Sequence, residues 1–202
     1  MTAETDTVFW KLVPIITSCL ALIVIYANAR FGIRNKQADL VIHFHKQFDE
    51  LQKKRAELLA AQEESAANVK GVWSQQRMKV EAEIFFDRFW SLQFDQFLAW
   101  YEGYVPTRIY VYWAFSRWRE LHNATPGWTL AGSTMFSTLE ELNNRWQSNP
   151  DRASRLTTHV TRFLGLMFAL KQNAASADID DLLCKFGPTR GRQLTRKVFG
   201  AY

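Results

Sequence analysis

Between Leu12 and Ala29 eighteen consecutive residues, LVPIITSCLALIVIYANA, carry no formal charge, and Val8, Phe9 and Trp10 extend the apolar stretch beyond Lys11. At helical rise the segment from Trp10 to Phe31 covers roughly 32 Å, close to the hydrocarbon thickness of a bilayer. Trp10, Tyr26 and Phe31 supply interfacial aromatics, Lys11 can extend outward beside Trp10, and Pro14 falls in the first turns, where a missing amide costs least. A core helix rarely stays apolar on every face for this length, so the run predicts a single transmembrane anchor over residues 1–34.

Flanking charge sets the orientation. Arg30, Arg34, Lys36 and Lys46 follow the run and Lys11 alone precedes it, which places the C-terminal domain on the cytoplasmic side. Ala27-Asn28-Ala29 has the small-x-small form of a signal-peptide cleavage site, the competing reading. Against it, Glu4 and Asp6 stand where a signal peptide carries its basic region, and the positive charge comes after the apolar run.

The 202 residues leave room for that anchor and one domain of ordinary size. A composition 48% hydrophobic and 14% aromatic, with 9 Gly and 5 Pro, excludes disordered and collagenous classes and favours long uninterrupted helices. Cys19 and Cys184 lie in the apolar run and near the chain's end, so no disulfide framework is expected.

The expected fold is all-α: the membrane helix continues into an amphipathic helix that packs with an aromatic-rich bundle over residues 35–187. Val41, Phe44, Phe48, Leu51 and Leu58 fall on three- and four-residue steps with Arg55 in the same row. One rod should therefore run from Val8 to about Ala66, its stripe covered by the chain's own later helices or by a coiled-coil partner. A second helix from about Val72 to Tyr101 carries the rows Phe86, Trp90, Phe94, Phe97, Tyr101 and Phe85, Phe89, Leu92, the broad apolar surface of a central bundle helix. Gly103 ends it, and Pro106 opens a third helix reaching about His122. Asn123 to Ser133 reads as a loop, with Ser133 or Thr134 capping a fourth helix that ends near Trp146. Asn149-Pro150-Asp151 starts a fifth helix burying Leu156, Val160, Phe163, Leu164, Met167 and Leu170; Ser176 caps a short sixth, stopped by Gly187-Pro188.

No metal spacing, nucleophile constellation or phosphate loop stands out, and no cofactor is expected. His43 and His45 are two apart and point to different helix faces; His122 and His159 stand alone. Asp87, Ser91 and Asp95 form one row that can share acid and base work, although Arg88 beside them and Arg108, Arg117 and Arg119 on the third helix suggest ion pairs instead. The third helix interleaves those arginines with Tyr110, Tyr112, Trp113, Phe115 and Trp118, a mix that can stack on bases or grip phosphate but at this spacing reads first as core. Residues 188–202 form a basic tail in which Arg190, Arg192, Arg196 and Lys197 meet no acidic residue. Together with Arg30, Arg34 and Lys36 these cations can touch an anionic membrane surface, each contributing about 1 kcal/mol.

The stretch Phe89 to Phe97, FWSLQFDQF, followed by Gly103-Tyr104-Val105-Pro106 and the Tyr/Trp-rich third helix, resembles a loosely defined group of uncharacterised bacterial single-pass, membrane-anchored helical proteins. The resemblance covers about two thirds of the chain and implies a bacterial inner-membrane location, with no catalytic residue to carry over. The expected function is a non-catalytic interaction module, an adaptor or accessory subunit that meets membrane lipid and a protein partner or second copy, with nucleic acid the last choice. The alternative is a membrane-anchored sensor or effector, for instance in stress or phage defence, with a ligand pocket around Trp90, Trp113 and Trp118. An enzyme using Asp87 and Asp95 is the third reading.

Overall fold

A computed structural model describes residues 3–66, 73–122, 127–148, 155–173 and 178–188, with side chains from residue 20 onward in the first helix and from 158 onward in the fifth. The described residues form an all-α bundle: α1 (Ala3–Ala66), α2 (Gln75–Tyr101), α3 (Thr107–Leu121), α4 (Met135–Gln147), α5 (Arg155–Gln172) and α6 (Ile179–Phe186). A small hairpin, β1 (Thr129–Leu130) and β2 (Ser133–Thr134), precedes α4.

The rod expected from the sequence is one helix of 64 residues, on the order of 96 Å at helical rise. Neither glycine nor proline interrupts the chain between Gly32 and Gly71, so nothing breaks the amide ladder where the apolar segment passes into the amphipathic one. Gln37, Phe44, Leu51 and Leu58 are buried at seven-residue steps, with Val41 and Phe48 half-buried between them. This stripe packs on α2, so the chain's own helices cover it. The first half behaves differently. Leu20, Leu22, Ile23, Val24, Ile25 and Tyr26 are each 52–66% exposed, and Gln37 is the first described residue of α1 to be buried, its side-chain amide donating to the Gly103 carbonyl at 3.4 Å.

Among the described residues no helix is long and apolar enough to cross a membrane. Residues 1–19 of the expected anchor lie outside the described side chains, as does the whole of the tail from residue 189.

Central helix α2 buries both expected aromatic rows, with Phe94 only half-buried against Phe163, ring centroids 5.6 Å apart. It begins at Gln75, where the Ser74 hydroxyl accepts from the Arg77 amide at 3.2 Å; Val72, the expected start, is not among the described residues. At its other end Gly103, with φ +89°, takes the left-handed conformation that a side chain resists. Pro106 is the N-cap of α3 rather than a member of its first turn. The corner is held by Trp100, which stacks on Tyr110 at 4.5 Å with planes 5° apart and donates from its indole to the Thr107 hydroxyl at 3.2 Å. Helix α3 then packs on α5 and α6.

The expected loop 123–133 folds its latter part into the hairpin. Ala131 and Gly132, both at positive φ (50° and 85°), are the two central residues of a tight turn joining β1 to β2. The Ala131 amide donates to the Gln62 side chain at 3.0 Å, which ties the hairpin to α1. Two-residue strands with an Ala-Gly turn carry too little period-two pattern to be read from sequence. A Cβ on Gly132 would meet nothing within 4 Å, so Gly132→Ala should cost only the left-handed backbone penalty, about 1–2 kcal/mol, measurable by urea denaturation.

Thr134 is the cap of α4, in a reciprocal box with Ser137. Asn149-Pro150-Asp151 and Ser176 lie outside the described residues. Phe163, Leu164, Met167 and Leu170 are buried as expected, along with Leu166, whereas Val160 is half-buried and Leu156 lies outside the described side chains. Gly187 ends α6, its amide donating to the Leu183 carbonyl at 2.8 Å.

Candidate ligand-binding cleft

Arg117 occupies the face of α3 that carries Tyr110, Trp113, Ala114 and Leu121 into the bundle, and it is only 5% exposed. Its guanidinium lies between the Phe48 ring of α1 (5.1 Å) and the Phe89 ring of α2 (4.8 Å). One turn on, Glu120 is 6% exposed and accepts from Arg117 Nη2 at 3.0 Å. Arg55, the charged member of the α1 stripe, lays its guanidinium over the Trp128 ring at 4.5 Å. These groups share a cleft of about 340 Å³ between α1 and α3, with Trp128 on its wall. Phe44, Phe48 and Trp113 line its apolar sides, and His45, Tyr112 and Arg119 lie toward the solvent.

Burial dominates the electrostatics. It pushes the Glu120 carboxyl above its ordinary range, although Arg117, Arg55 and Arg119 pull the other way. It pushes the guanidinium of Arg117 down against the pull of Glu120 and Tyr110, and that of Arg55 down against Glu120. Losing water therefore outweighs attraction for both partners of the pair, the regime in which a buried salt bridge contributes little to stability. The hydrogen-bond inventory agrees: Arg55 Nε, Arg117 Nε and Nη1, Trp128 Nε1 and Glu120 Oε2 are buried with no partner among the described residues. Buried polar groups are normally paired, and here the four donors and one acceptor left unpaired belong to four residues that line one cleft.

A pH dependence follows. A carboxyl raised in the folded state binds protons there more readily than in the unfolded chain. Its contribution to stability is thus fully present below its ordinary value of 4.5 and is lost as pH rises through the folded value. Denaturation midpoints across that interval should fall more steeply for the natural chain than for Glu120→Gln, which has no such proton to lose.

Of the three tryptophans expected around a pocket, only Trp113 lines this cleft. Trp90 is in the core, its indole donating to the Thr138 hydroxyl at 3.0 Å, and Trp118 donates to the Asn173 carbonyl at 2.8 Å. Asp87, Ser91 and Asp95 do lie together, exposed along a shallow groove between α1 and α2. The ion pairs expected between them and α3 are corrected: Arg145 of α4 donates to Asp87 at 2.8 Å, both side chains more than half exposed, while Arg117 is committed to Glu120. Their row lies off the buried aromatic face of α2, toward α1 and α4. Such a surface pair is worth about 0–1 kcal/mol. Partial burial raises the Asp95 carboxyl. His159 stands 3.4 Å from Glu102 and His122 Nδ1 is 2.8 Å from the Trp118 carbonyl, whereas His43 and His45 are exposed. Among the described residues no group of three His, Cys, Asp or Glu side chains is placed to hold a metal ion.

Spacing alone marks Arg55 only as a charged member of the α1 row and does not single out Glu120 or Trp128. The available signal was a cation at a core position of two different helices, one of them three residues before an acid. Comparison with protein-family models, curated proteins and solved structures finds no match to the chain.

Proposed function

We propose that the chain is a non-catalytic helical module anchored in a bacterial inner membrane by the first half of α1, with its bundle on the cytoplasmic side holding a protein partner or a second copy. The observation that carries this reading is the bare segment Leu20 to Tyr26. Seven successive residues cover every direction around a helix, so its large apolar side chains stand exposed all round rather than on one stripe. Each would gain about 1.5–3 kcal/mol by leaving water, and a bilayer core accepts all faces at once. Arg30, Arg34 and Lys36 follow at the level of the headgroups, and the cations of the tail supply further attraction to the same surface.

Lysine at the centre of a membrane helix costs about 2.5–3.5 kcal/mol per residue. Carbonate-washed membranes should therefore retain the natural chain and release much of an Ile23→Lys, Ile25→Lys double variant. Release of the natural chain in the same wash would refute the anchor. Turnover of a metabolite by the full-length protein in nanodiscs, with no partner captured, would refute the adaptor role.

The orphaned polar atoms of the cleft favour a second reading, a membrane-anchored sensor whose bundle binds a small ligand.

A further inference from the structure

We infer that the cleft between α1 and α3 is a binding site for a small organic anion, a carboxylate or phosphate on a flat apolar body, that engages Arg55, Arg117 and Trp128. The inference deepens the sensor reading and is independent of the membrane anchor.

The unpaired atoms specify the polar half of the ligand. Among the residues lining the cleft, four buried N–H groups of Arg55, Arg117 and Trp128 lack an acceptor, against one buried oxygen, Glu120 Oε2, that lacks a donor. Donor excess of this kind suits a group rich in lone pairs, and arginine is the side chain that matches carboxylate and phosphate oxygens best. Formal charge points the same way: Arg55, Arg117 and Arg119 against Glu120 leave the cleft at +2, since His45 is counted neutral. The walls specify the other half. Phe44, Phe48, Trp113 and Trp128 present aromatic surface, and Phe44 meets Trp113 edge to face at 5.8 Å. The volume of about 340 Å³ lies at the lower end of ordinary small-molecule sites.

Burial outweighs attraction at both Arg117 and Glu120, and apolar residues of similar volume commonly serve a core better. An anion that pairs the free guanidinium N–H groups supplies the missing partners.

The test is isothermal titration calorimetry of the full-length protein in phosphatidylcholine nanodiscs with benzoate, phenyl phosphate and the neutral isostere benzamide. Saturable heat is expected from at least one anion and not from benzamide. Arg55→Gln should weaken anion binding by about tenfold, the size of one lost charge-assisted hydrogen bond. Glu120→Gln, which removes the only negative charge of the cleft, should tighten it. Opposite signs for two neighbouring substitutions are a charge effect that general loosening of the bundle does not produce. Absence of saturable heat from both anions, equal affinity for benzamide, or unchanged anion binding in both variants would overturn the anion site. Binding of benzamide alone would overturn it while leaving a ligand sensor of another chemistry. Repeating the titration in discs containing phosphatidylglycerol separates two sources of the same chemistry: competition by the lipid assigns the site to a headgroup, and undiminished affinity to a soluble anion, each upholding the anion site.

Discussion

Glu120→Ala is expected to lower the free energy of unfolding by about 3–5 kcal/mol at neutral pH, because it leaves the Arg117 guanidinium buried without its counter-charge. Arg117 is 5% exposed and makes its one ion pair among the described residues with Glu120, so no nearby carboxylate can take over. Domains of this size are stable by about 5–15 kcal/mol, so the loss is a large fraction of the whole. The double substitution Arg117→Met, Glu120→Leu removes both charges, fills similar volume and should recover most of that loss. Urea denaturation of the three chains measures both effects, and a double variant as unstable as Glu120→Ala would show that the pair itself stabilises the fold.

Phe89→Ala should cost about 3–5 kcal/mol, the range for emptying an aromatic position in a packed core. Phe89 has no exposed surface and meets Trp90 at 5.2 Å and Trp128 at 5.1 Å edge to face, with the Arg117 guanidinium 4.8 Å from its ring. One ring thus supports the central helix, the hairpin segment and the cleft at once. Its removal should broaden the near-ultraviolet circular dichroism of the tryptophans as well as lower the midpoint. A loss below about 1 kcal/mol would mean that the neighbours collapse into the space.

Long-range periodicity made the architecture legible. The stripe through Phe44, Leu51 and Leu58 and the two aromatic rows of α2 repeat over enough turns that the burial pattern follows from spacing alone. Thr134 and Gly187 were legible because a cap and a stop have local chemistry. The hairpin was hidden, since strands two residues long have no period to detect. The partner of Asp87 was hidden for a different reason: helix spacing gives the face a charge occupies and not which later helix crosses that face, and here it is α4. The cleft was hidden in the same way. Arg55 lies far in sequence from Arg117 and Trp128, and only packing of the chain places all three on one cleft.

The most direct test of an anchored cytoplasmic module is reporter topology of the intact chain in a bacterial host, with alkaline phosphatase and a fluorescent protein each fused after Tyr202 and the mass of the product determined. Fluorescence, no phosphatase activity and a chain retaining its first residues are expected. Phosphatase activity with a product beginning at Arg30 would contradict the anchor and place the bundle, with its anion cleft, outside the cytoplasm.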